Sequence, residues 1–380
     1  MSIPQTKQMR RAYGFDEVAI VPGDVTINPA MTEIGFRIDQ LEFPLPIVAA
    51  AMDAVVDARF AASFAKMGGL PVLNLEGVQT RYDHPDSVIE EIASAPQNKA
   101  TALLQKAYAE PIRTELIGQR IREIQQTGTV CAVSCTPANT KQFAPLAKEA
   151  AVDIFVIQST VTTARHISYS ERGLVFPELV EEMAPVPVVV GNTVGYSACK
   201  ELMETGVAAV LVGVGPGSAC TSREVLGIGV PQVTATMDCA AARDQYYHES
   251  GRYVPIITDG GIRSGGDLCK AFAAGADAVM LGSILAACAE ASGRGHHWGM
   301  ATPHADLPRG IRVSVGVDTT LQQVLFGPSS RTDGTENLVG ALKTAMGMCG
   351  ARTIRDFQQA ELVVAPSIKT EGKQIQIAQR

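Results

Sequence analysis

A glycine-rich segment, residues 208–232 (AAVLVGVGPGSACTSREVLGIGVPQ), combines the residue types needed to attack or to cradle a ligand. Its apolar start, Ala208 to Val212, predicts a β-strand, and the glycines that follow let main-chain groups approach a ligand closely. Cys220 lies at the apex of this loop, and a thiol is nucleophilic once ionised, which N–H dipoles or the cation of Arg223 would favour. The segment therefore predicts a nucleophile or a phosphate cradle. The alternative is a small buried cysteine in a tight loop.

Two later loops place glycines where a phosphate-binding backbone is expected. They follow β-rich runs and read DGGIRSGG (259–266) and Gly282-Ser283. Glycine N–H groups at helix N-termini bind phosphate without a net positive charge, and Asp259 is placed to accept hydrogen bonds from ribose hydroxyls. The alternative is a helix cap with closely packed glycines. Weaker candidates, equally compatible with turns or caps, follow three other runs: Met52-Asp53, Gln158-Ser159-Thr160 and Gly191-Asn192.

Together these loops predict one site for a singly phosphorylated nucleotide. The phosphate would lie at the 259–266 and 282–283 loops, and the base would meet the thiol of Cys220. This combination indicates covalent catalysis on a nucleotide base.

The elements that must position these loops alternate regularly along the chain. Short apolar runs lie at 46–51, 70–75, 129–134, 153–158, 186–191, 208–213, 255–260 and 277–282, with helix-period segments between them. Continuous apolar strands that alternate with helices predict a parallel sheet covered by helices. Eight such units predict a (β/α)8 TIM barrel, in the α/β class, with its site on the loops after the strands. A faint repeat, TGVAAVLVG (205–213) and AGADAVMLG (274–282), supports two copies of one αβ corner.

The chain is predicted to form a single barrel domain over 1–380. Residues 76–128 are too long for one connection and predict a helical insertion after the second strand. Residues 292–335, rich in Gly, His, Pro, Ser and Asp, predict a mobile flap after the eighth strand. A closing helix is expected at 336–347, and the polar residues 365–380 are expected to form a loose C-terminal tail.

Composition excludes several classes of protein. A net charge of −7, a pI of about 5.5 and the lack of a basic run argue against nucleic-acid binding. No apolar run is long enough for a membrane helix and no signal peptide is apparent, so a cytoplasmic protein is expected. The eight scattered cysteines are expected to be reduced. Cys131-x-x-x-Cys135 lacks a second pair for zinc, and the adjacent His296 and His297 would point to different sides of an extended chain.

The sequence resembles the IMP dehydrogenase and GMP reductase family over residues 14–354. The stretches that carry the resemblance are GFDEVAIVPG, PIVAAAMDAVVDARFA, the segment from VVVGNTVGYSACKELMETG to the cysteine loop, PIITDGGIRSGGDLCKAFAAGADAVMLGS, WGM (298–300) and MGMCGARTI (346–354). The resemblance implies a (β/α)8 barrel that assembles as a homotetramer, with an octamer as the alternative. Longer family members insert a pair of CBS domains after the second strand. Because residues 76–128 stand in their place, the chain resembles the short IMP dehydrogenase-related branch without CBS domains.

The resemblance also implies a reaction and a set of site residues. Cys220 would attack C2 of IMP, a hydride would pass to NAD, and water would release XMP, with the hydroxyl of Ser222 assisting at C2. The phosphate would be held by Ser218, Gly260, Gly261, Gly282 and Ser283, and the ribose by Asp259. The purine would meet Met52 and the backbone of Trp298, Gly299, Met300 and Ala301. NAD would meet Gln158, Ser159, Asn192, Gly213, Val214 and Gly215, and a monovalent cation, usually potassium, would bind the carbonyls of Gly215, Gly217 and Cys220.

The chain departs from the family pattern at several places. Ser222 stands where the family usually has a threonine, and Arg309 stands where a purine-contacting Glu or Gln would be expected. Gln158 stands where the dehydrogenases carry an aspartate that faces the nicotinamide ribose, and it brings no charge. The shortened flap lacks the Arg-Tyr pair that activates the hydrolytic water. Arg309 is therefore nominated for that role, with Arg312 as the alternative, although arginine needs a closed, positively biased site to act as a base.

Several activities remain open at this point. The first is NAD-dependent oxidation of IMP, and its near relative is NADPH-dependent reduction of GMP to IMP through the same thioimidate. A barrel oxidoreductase that binds FMN would also hold a phosphate after strands seven and eight, but Cys220 would be dispensable. A nucleotide-binding paralogue without turnover is the non-enzymatic alternative.

Overall fold

Short strands precede the main sheet and close one end of it. The structure is a computed structural model that describes residues 9–167, 173–299 and 311–367. The first strands are β1 (Val18–Ile20), β2 (Phe36–Ile38) and β3 (Leu41–Phe43), and β2 and β3 pair as an antiparallel hairpin. Phe36, Ile38 and Phe43 of this hairpin pack against side chains that fill the interior of the barrel. Because the hairpin directly precedes the first barrel strand, it covers the amino-terminal end of the barrel.

Eight parallel strands close into a barrel, which confirms the predicted (β/α)8 fold. They are β4 (Ile47–Ala49), β5 (Leu70–Asn74), β6 (Ala132–Cys135), β7 (Ile154–Gln158), β8 (Val188–Thr193), β9 (Ala209–Val212), β10 (Ile256–Asp259) and β11 (Ala278–Leu281). Each strand pairs with the next along the chain, and β11 pairs with β4. Nearly every residue of these strands is buried, because one face lines the barrel interior and the other lies under the helices. This two-sided burial explains why the strands are continuous apolar runs.

Helices cover the outside of the barrel and also form part of the connection after β5 and of the segment after β11. They are α1 (Ala58–Lys66), α2 (Pro85–Ser94), α3 (Gln97–Ala109), α4 (Thr114–Gln125), α5 (Pro137–Glu149), α6 (Phe176–Met183), α7 (Tyr196–Glu204), α8 (Ser222–Leu226), α9 (Gln232–Ser250), α10 (Gly265–Ala273), α11 (Ser283–Ala286), α12 (Leu321–Phe326), α13 (Leu338–Met348) and α14 (Ile354–Phe357). None of the helices that the structure describes is both long enough and apolar enough to cross a bilayer.

Residues 75–131, all of them described, connect β5 to β6 through α2, α3 and α4 and contain no strand. No CBS domain is therefore present at this position. The helices share a small apolar cluster that includes Ile89, Leu104 and Tyr108. Trp298, which follows β11 in the chain, packs into the same cluster. The inserted helices are thus in contact with the segment that follows the last barrel strand.

After β11, the described residues form the strands β12 (His296–His297), β13 (Val313–Ser314) and β14 (Leu362–Val364). β12 and β13 pair in antiparallel fashion, and β14 pairs with β1. Residues 300–310 and 368–380 are outside the described residues, so the predicted flap and tail are described only in part.

A buried arginine ties α9 to the αβ corner before β11. Arg243 is 1% exposed, and its Nη1 donates to the Gly275 carbonyl at 2.6 Å and to Asp277 Oδ2 at 2.8 Å. The same carboxylate oxygen accepts from the Ile256 N–H at 2.8 Å. Gly275 has a φ of +112°, and Gly206, at the equivalent corner in the repeated sequence, has a φ of +91°. Both corners therefore use glycine where a side chain would be strained.

Candidate active site

A cavity of about 1530 Å³ opens at the carboxyl ends of the barrel strands. Its walls come from the carboxyl ends of seven of the strands and the loops that follow them, as the barrel fold predicts, and Thr136 is the contribution after β6. They include Met52 after β4, Gln158 at the end of β7, Asn192 in β8, residues 213–220 after β9, residues 259–263 after β10, and residues 282–284 after β11. The two nucleotide-binding loops and the cysteine loop therefore face one space.

Cys220 lies in the cavity wall and is half-buried. Its thiol donates a hydrogen bond to Ser222 Oγ at 3.2 Å, and its N–H donates to the Gly217 carbonyl at 3.1 Å. Ser222 is fully buried, so its hydroxyl lies behind the sulfur rather than in the open cavity. Elsewhere, burial raises the pKa of the Cys131 and Cys269 thiols to about 12, so those cysteines stay protonated. The sulfur in the cavity is the one placed for nucleophilic chemistry.

The start of the cysteine loop requires glycine because it passes against β10. Gly213 has a φ of +148°, and a Cβ at this position would lie 2.3 Å from the Asp259 carbonyl oxygen. Gln232 Nε2 donates to the Val212 carbonyl at 2.7 Å and holds the end of β9 in place. The close approach brings the cysteine loop next to Asp259, which follows β10.

Arg223 runs under the same loop and binds its backbone. Its Nε donates to the Val214 carbonyl at 3.2 Å, and its Nη2 donates to the Val230 carbonyl at 2.7 Å. A Cβ on Gly215 would lie 2.6 Å from Arg223 Cγ. The Val214 side chain is buried and does not line the cavity, whereas Gly213 and Gly215 do.

The carbonyls named for a potassium ion make an incomplete set in this chain. The Gly217 carbonyl accepts the Cys220 N–H, and the side chain of Arg223 already lies against Gly215. Three carbonyls are also fewer than the roughly six oxygens that hard cations generally take in proteins. The described residues do not by themselves fit a monovalent cation, and no group of three His, Cys, Asp or Glu side chains among them could hold a metal.

The residues expected at the phosphate come together on the side of the cavity next to Cys220. Ser218 Oγ and Ser283 Oγ lie 2.7 Å apart, and Gly260 and Gly261 have φ values of +86° and +81°. All four line the cavity, as does Gly282. A Cβ on Gly282 would lie 2.9 Å from Met52 Sδ, so the glycine allows Met52 to close this corner. The arrangement offers hydroxyl and main-chain groups to an anionic oxygen.

His297 is a cavity residue that sequence reasoning did not assign to the ligand. It is 1% exposed, and its Nε2 lies 3.4 Å from Ser218 Oγ. Its Nδ1 is buried without a hydrogen-bond partner among the described residues. Burial lowers the pKa of His297 to about 4, which makes the ring neutral at neutral pH. The ring is thus placed to bind the same oxygens as the two serines, and its only signal in the sequence was its position directly before WGM (298–300).

Three polar side chains form one cluster deeper in the cavity. Asp259 Oδ2 accepts from Asn192 Nδ2 at 2.8 Å and from Gln158 Nε2 at 3.0 Å. Gln158 Nε2 also donates to Asn192 Oδ1 at 3.1 Å, while Gln158 Oε1 is buried without a partner among the described residues. Burial raises the pKa of Asp259 to about 6, although the two amide donors oppose that rise. The groups assigned by sequence to ribose and to NAD are therefore in direct contact.

We expect Asp259→Asn to stabilise the protein at neutral pH. Since burial raises the Asp259 pKa from 3.8 to about 6, the native state binds a proton there more tightly than the unfolded chain. The tighter proton binding by the native Asp259 stabilises the folded protein fully below about pH 4, and this stabilisation is lost as the pH rises through about 6. Above that pH, the ionised carboxylate lowers the free energy of unfolding by about 3 kcal/mol relative to the protonated form. Urea unfolding from pH 4 to 8 should show a gap between the two proteins that widens with pH; a constant gap would contradict this account.

The segment 297–299 contributes to the cavity in part. His297 and Gly299 line the cavity, but the Trp298 side chain turns away, is 2% exposed, and donates its indole N–H to Tyr108 Oη at 2.7 Å. Only the backbone of Trp298 could therefore meet a purine. Met300 and Ala301, and the nominated Arg309, lie outside the described residues.

Arg312, the alternative for activating water, is not free to do so. It is 5% exposed, and its Nη1 donates to the carbonyls of Ile92 at 2.6 Å, Ala93 at 3.0 Å and Ala95 at 2.7 Å. The guanidinium is committed to the carboxyl end of α2, where a cation stabilises the helix. These contacts argue against a role for Arg312 as a base. They join positions far apart in the chain and so leave no trace in the local sequence.

Comparison with known proteins identifies the family. The family model described as "IMP dehydrogenase / GMP reductase domain" matches residues 12–373. The chain belongs to this family. Members of the family are similar to it along almost its whole length, which confirms the resemblance seen in the cysteine loop and in the glycine loops after β10 and β11.

Three family members illustrate the range of similarity. The chain is 39% identical to an uncharacterized oxidoreductase of Mycolicibacterium smegmatis, over 96% of this chain and 99% of the relative. It is 25% identical to an inosine-5'-monophosphate dehydrogenase of Methanocaldococcus jannaschii, over 98% of this chain and 96% of the relative. A crystal structure of an IMP dehydrogenase/GMP reductase-like protein from Corynebacterium glutamicum superposes with a TM-score of 0.90 at 35% identity, over 96% of this chain and 97% of that one. These relatives support an oxidoreductase of this family.

Proposed function

We propose that the protein catalyses the NAD-dependent oxidation of IMP to XMP through a covalent intermediate on Cys220. The observation that carries the proposal is the position of the Cys220 thiol in the same cavity as the paired hydroxyls of Ser218 and Ser283. A nucleotide whose phosphate is bound by these hydroxyls would present its base to the sulfur. That arrangement suits nucleophilic attack on a purine.

The reaction begins with the thiolate of Cys220, which adds to C2 of the purine. NAD, when bound, takes up the hydride that leaves C2, and a thioimidate remains on the sulfur. Water then adds to C2, the C–S bond breaks, and XMP leaves as the thiol is restored. Ser222 Oγ accepts a hydrogen bond from the thiol at 3.2 Å in the resting site, and this thiol proton is released to solvent when the thiolate forms.

Other residues orient the two ligands during these steps. The Asp259 carboxylate accepts hydrogen bonds from the ribose hydroxyls of the nucleotide, and Met52 packs beside the purine. Gln158 lines the cavity, and its Oε1, which has no partner among the described residues, would suit a hydroxyl of the nicotinamide nucleotide. The cavity volume of about 1530 Å³ exceeds the roughly 300–1,000 Å³ of a site for one small ligand. This size fits the binding of a nucleotide and a dinucleotide together. Arg309 remains the predicted group for activating water.

We expect the purified protein to form NADH and XMP from IMP and NAD. Absorbance at the nicotinamide band would follow the first product, and chromatography would identify the second. Consumption of NADPH with GMP alone would assign the protein to the reductase branch. Nucleotide binding in calorimetry without turnover under either condition would contradict an enzymatic role, and a flavin in the purified protein would favour an FMN enzyme.

A further inference from the structure

The short sheet β12–β13 forms one wall of the cavity. His297 of β12 is paired with Val313 of β13, and both residues line the cavity. His297 is also the residue of this sheet that lies beside Ser218. With two residues in each strand, the sheet has too few internal hydrogen bonds to hold its own position. Its place must therefore be set by contacts with other elements.

The residue after β12 is fixed by helix α3 of the insertion. Trp298 donates its indole N–H to Tyr108 Oη at 2.7 Å, and the Tyr108 hydroxyl donates in turn to Asp53 Oδ2. The same carboxylate oxygen accepts the Val78 N–H at 3.2 Å. Tyr108, Trp298 and Asp53 are all buried. Because Asp53 directly follows Met52, this chain of hydrogen bonds joins two walls of the cavity through one tyrosine of the insertion.

The residue before β13 is fixed by the junction of α2 and α3. Arg312 Nη1 binds three carbonyls at the carboxyl end of α2, and its Nη2 donates to Gln97 Oε1 at 3.0 Å. Gln97 Nε2 returns a hydrogen bond to the Arg312 carbonyl at 3.2 Å. The amide of Gln97 therefore holds both the side chain and the backbone of Arg312. Two independent contacts, one at the residue next to each strand, connect the inserted helices to the same wall.

We propose that Tyr108 and Gln97 are positioning residues, through which the helical insertion fixes the β12–β13 wall of the nucleotide site. Neither side chain lines the cavity, so each acts through Trp298 or Arg312. The insertion thereby determines where His297 meets the ligand. The consequence for IMP binding rests on the proposed function, but the mechanical link between insertion and wall does not.

The link can be tested without any substrate by hydrogen exchange measured with mass spectrometry. In Tyr108→Phe and in Gln97→Ala, amides in peptides covering 294–299 and 311–316 should exchange about tenfold faster than in the wild type. The wall can then open locally without breaking a buried hydrogen bond, which lowers the free energy of opening. Peptides from β8 should be unchanged. Tyr82→Phe is the matched control, because Tyr82 donates its hydroxyl to the Ala107 carbonyl at 3.1 Å in the same insertion. Its hydroxyl makes no hydrogen bond to Trp298, Arg312 or the β12–β13 sheet among the described residues.

The single tryptophan of the chain gives a second readout. Tyr108→Phe removes the acceptor of the Trp298 N–H, so the emission maximum should shift in this variant and stay unchanged in Tyr82→Phe. Unchanged exchange at 294–299 and 311–316 in both insertion variants would overturn the proposal, whatever their activity.

The activity measurement separates this proposal from the proposed function. If the wild-type protein oxidises IMP, both variants should raise the KM for IMP several-fold with a smaller change in kcat, since the wall orients the ligand and does not react. If the wild-type protein does not oxidise IMP, the proposed function fails, and the exchange and fluorescence results still decide whether the insertion fixes the wall.

Discussion

Replacing Cys220 with alanine is expected to lower kcat for IMP oxidation by at least about 10⁴-fold while IMP still binds. The substitution removes the atom that bonds to C2, and without it no thioimidate forms. Ser218, Ser283 and Asp259 lie on other parts of the cavity wall, so nucleotide affinity should change only a few-fold. Initial rates of NADH formation and calorimetry with IMP would measure the two effects.

A matched control comes from the other half-buried thiol. Cys349 donates to the Val21 carbonyl at 3.7 Å and does not line the cavity. Cys349→Ala should therefore keep wild-type turnover. Substantial activity in Cys220→Ala would refute covalent catalysis and would favour an enzyme that transfers hydride without a protein nucleophile.

The largest loss of stability is expected from Arg243→Met, at about 3–5 kcal/mol. Methionine fills much of the volume, but Asp277, whose side chain is only 11% exposed, would lose its cation and the Gly275 carbonyl would lose its donor. Removing one partner of a buried pair leaves an uncompensated charge, which costs more than the pair contributes. Urea unfolding at neutral pH would measure the loss.

Arg355→Met provides the comparison within the same cluster. Arg355 pairs with Asp244 at 2.7 Å, and both side chains are 44% exposed. Exposed pairs are worth about 0–1 kcal/mol. Equal losses of unfolding free energy in Arg243→Met and Arg355→Met would show that the burial of Arg243 does not determine how much its ion pair contributes to stability.

The barrel could be predicted from the sequence because strands that are buried on both faces are continuous runs of apolar residues. The run predicted at 186–191, for example, corresponds to β8 (Val188–Thr193), and its consecutive valines face the interior and the helices in turn. The glycine loops could be predicted equally well. Gly213, Gly260 and Gly261 adopt positive φ values that other residues rarely take, so the sequence must have glycine at these positions. These features depend on a few neighbouring residues.

Contacts between distant parts of the chain could not be predicted in the same way. Arg312 was a candidate base in the sequence, but its partners are carbonyls about 220 positions away, and nothing near it signals them. Gln158 and Asn192 were assigned to NAD and Asp259 to the ribose of the nucleotide, although the three side chains hydrogen-bond directly to one another. Periodicity gives the order of the strands, but not which side chains from separate strands meet.

The burial of six of the eight thiols makes the protein suitable for site-selective bioconjugation. In a Cys349→Ser background, a maleimide dye or an electrophilic fragment would have Cys220 as its one half-buried target, inside the cavity. Fragments that bind beside the sulfur could be enriched by disulfide tethering, and their adducts detected by intact mass. The same selectivity would allow a covalent inhibitor to be developed without labelling the remaining sulfurs.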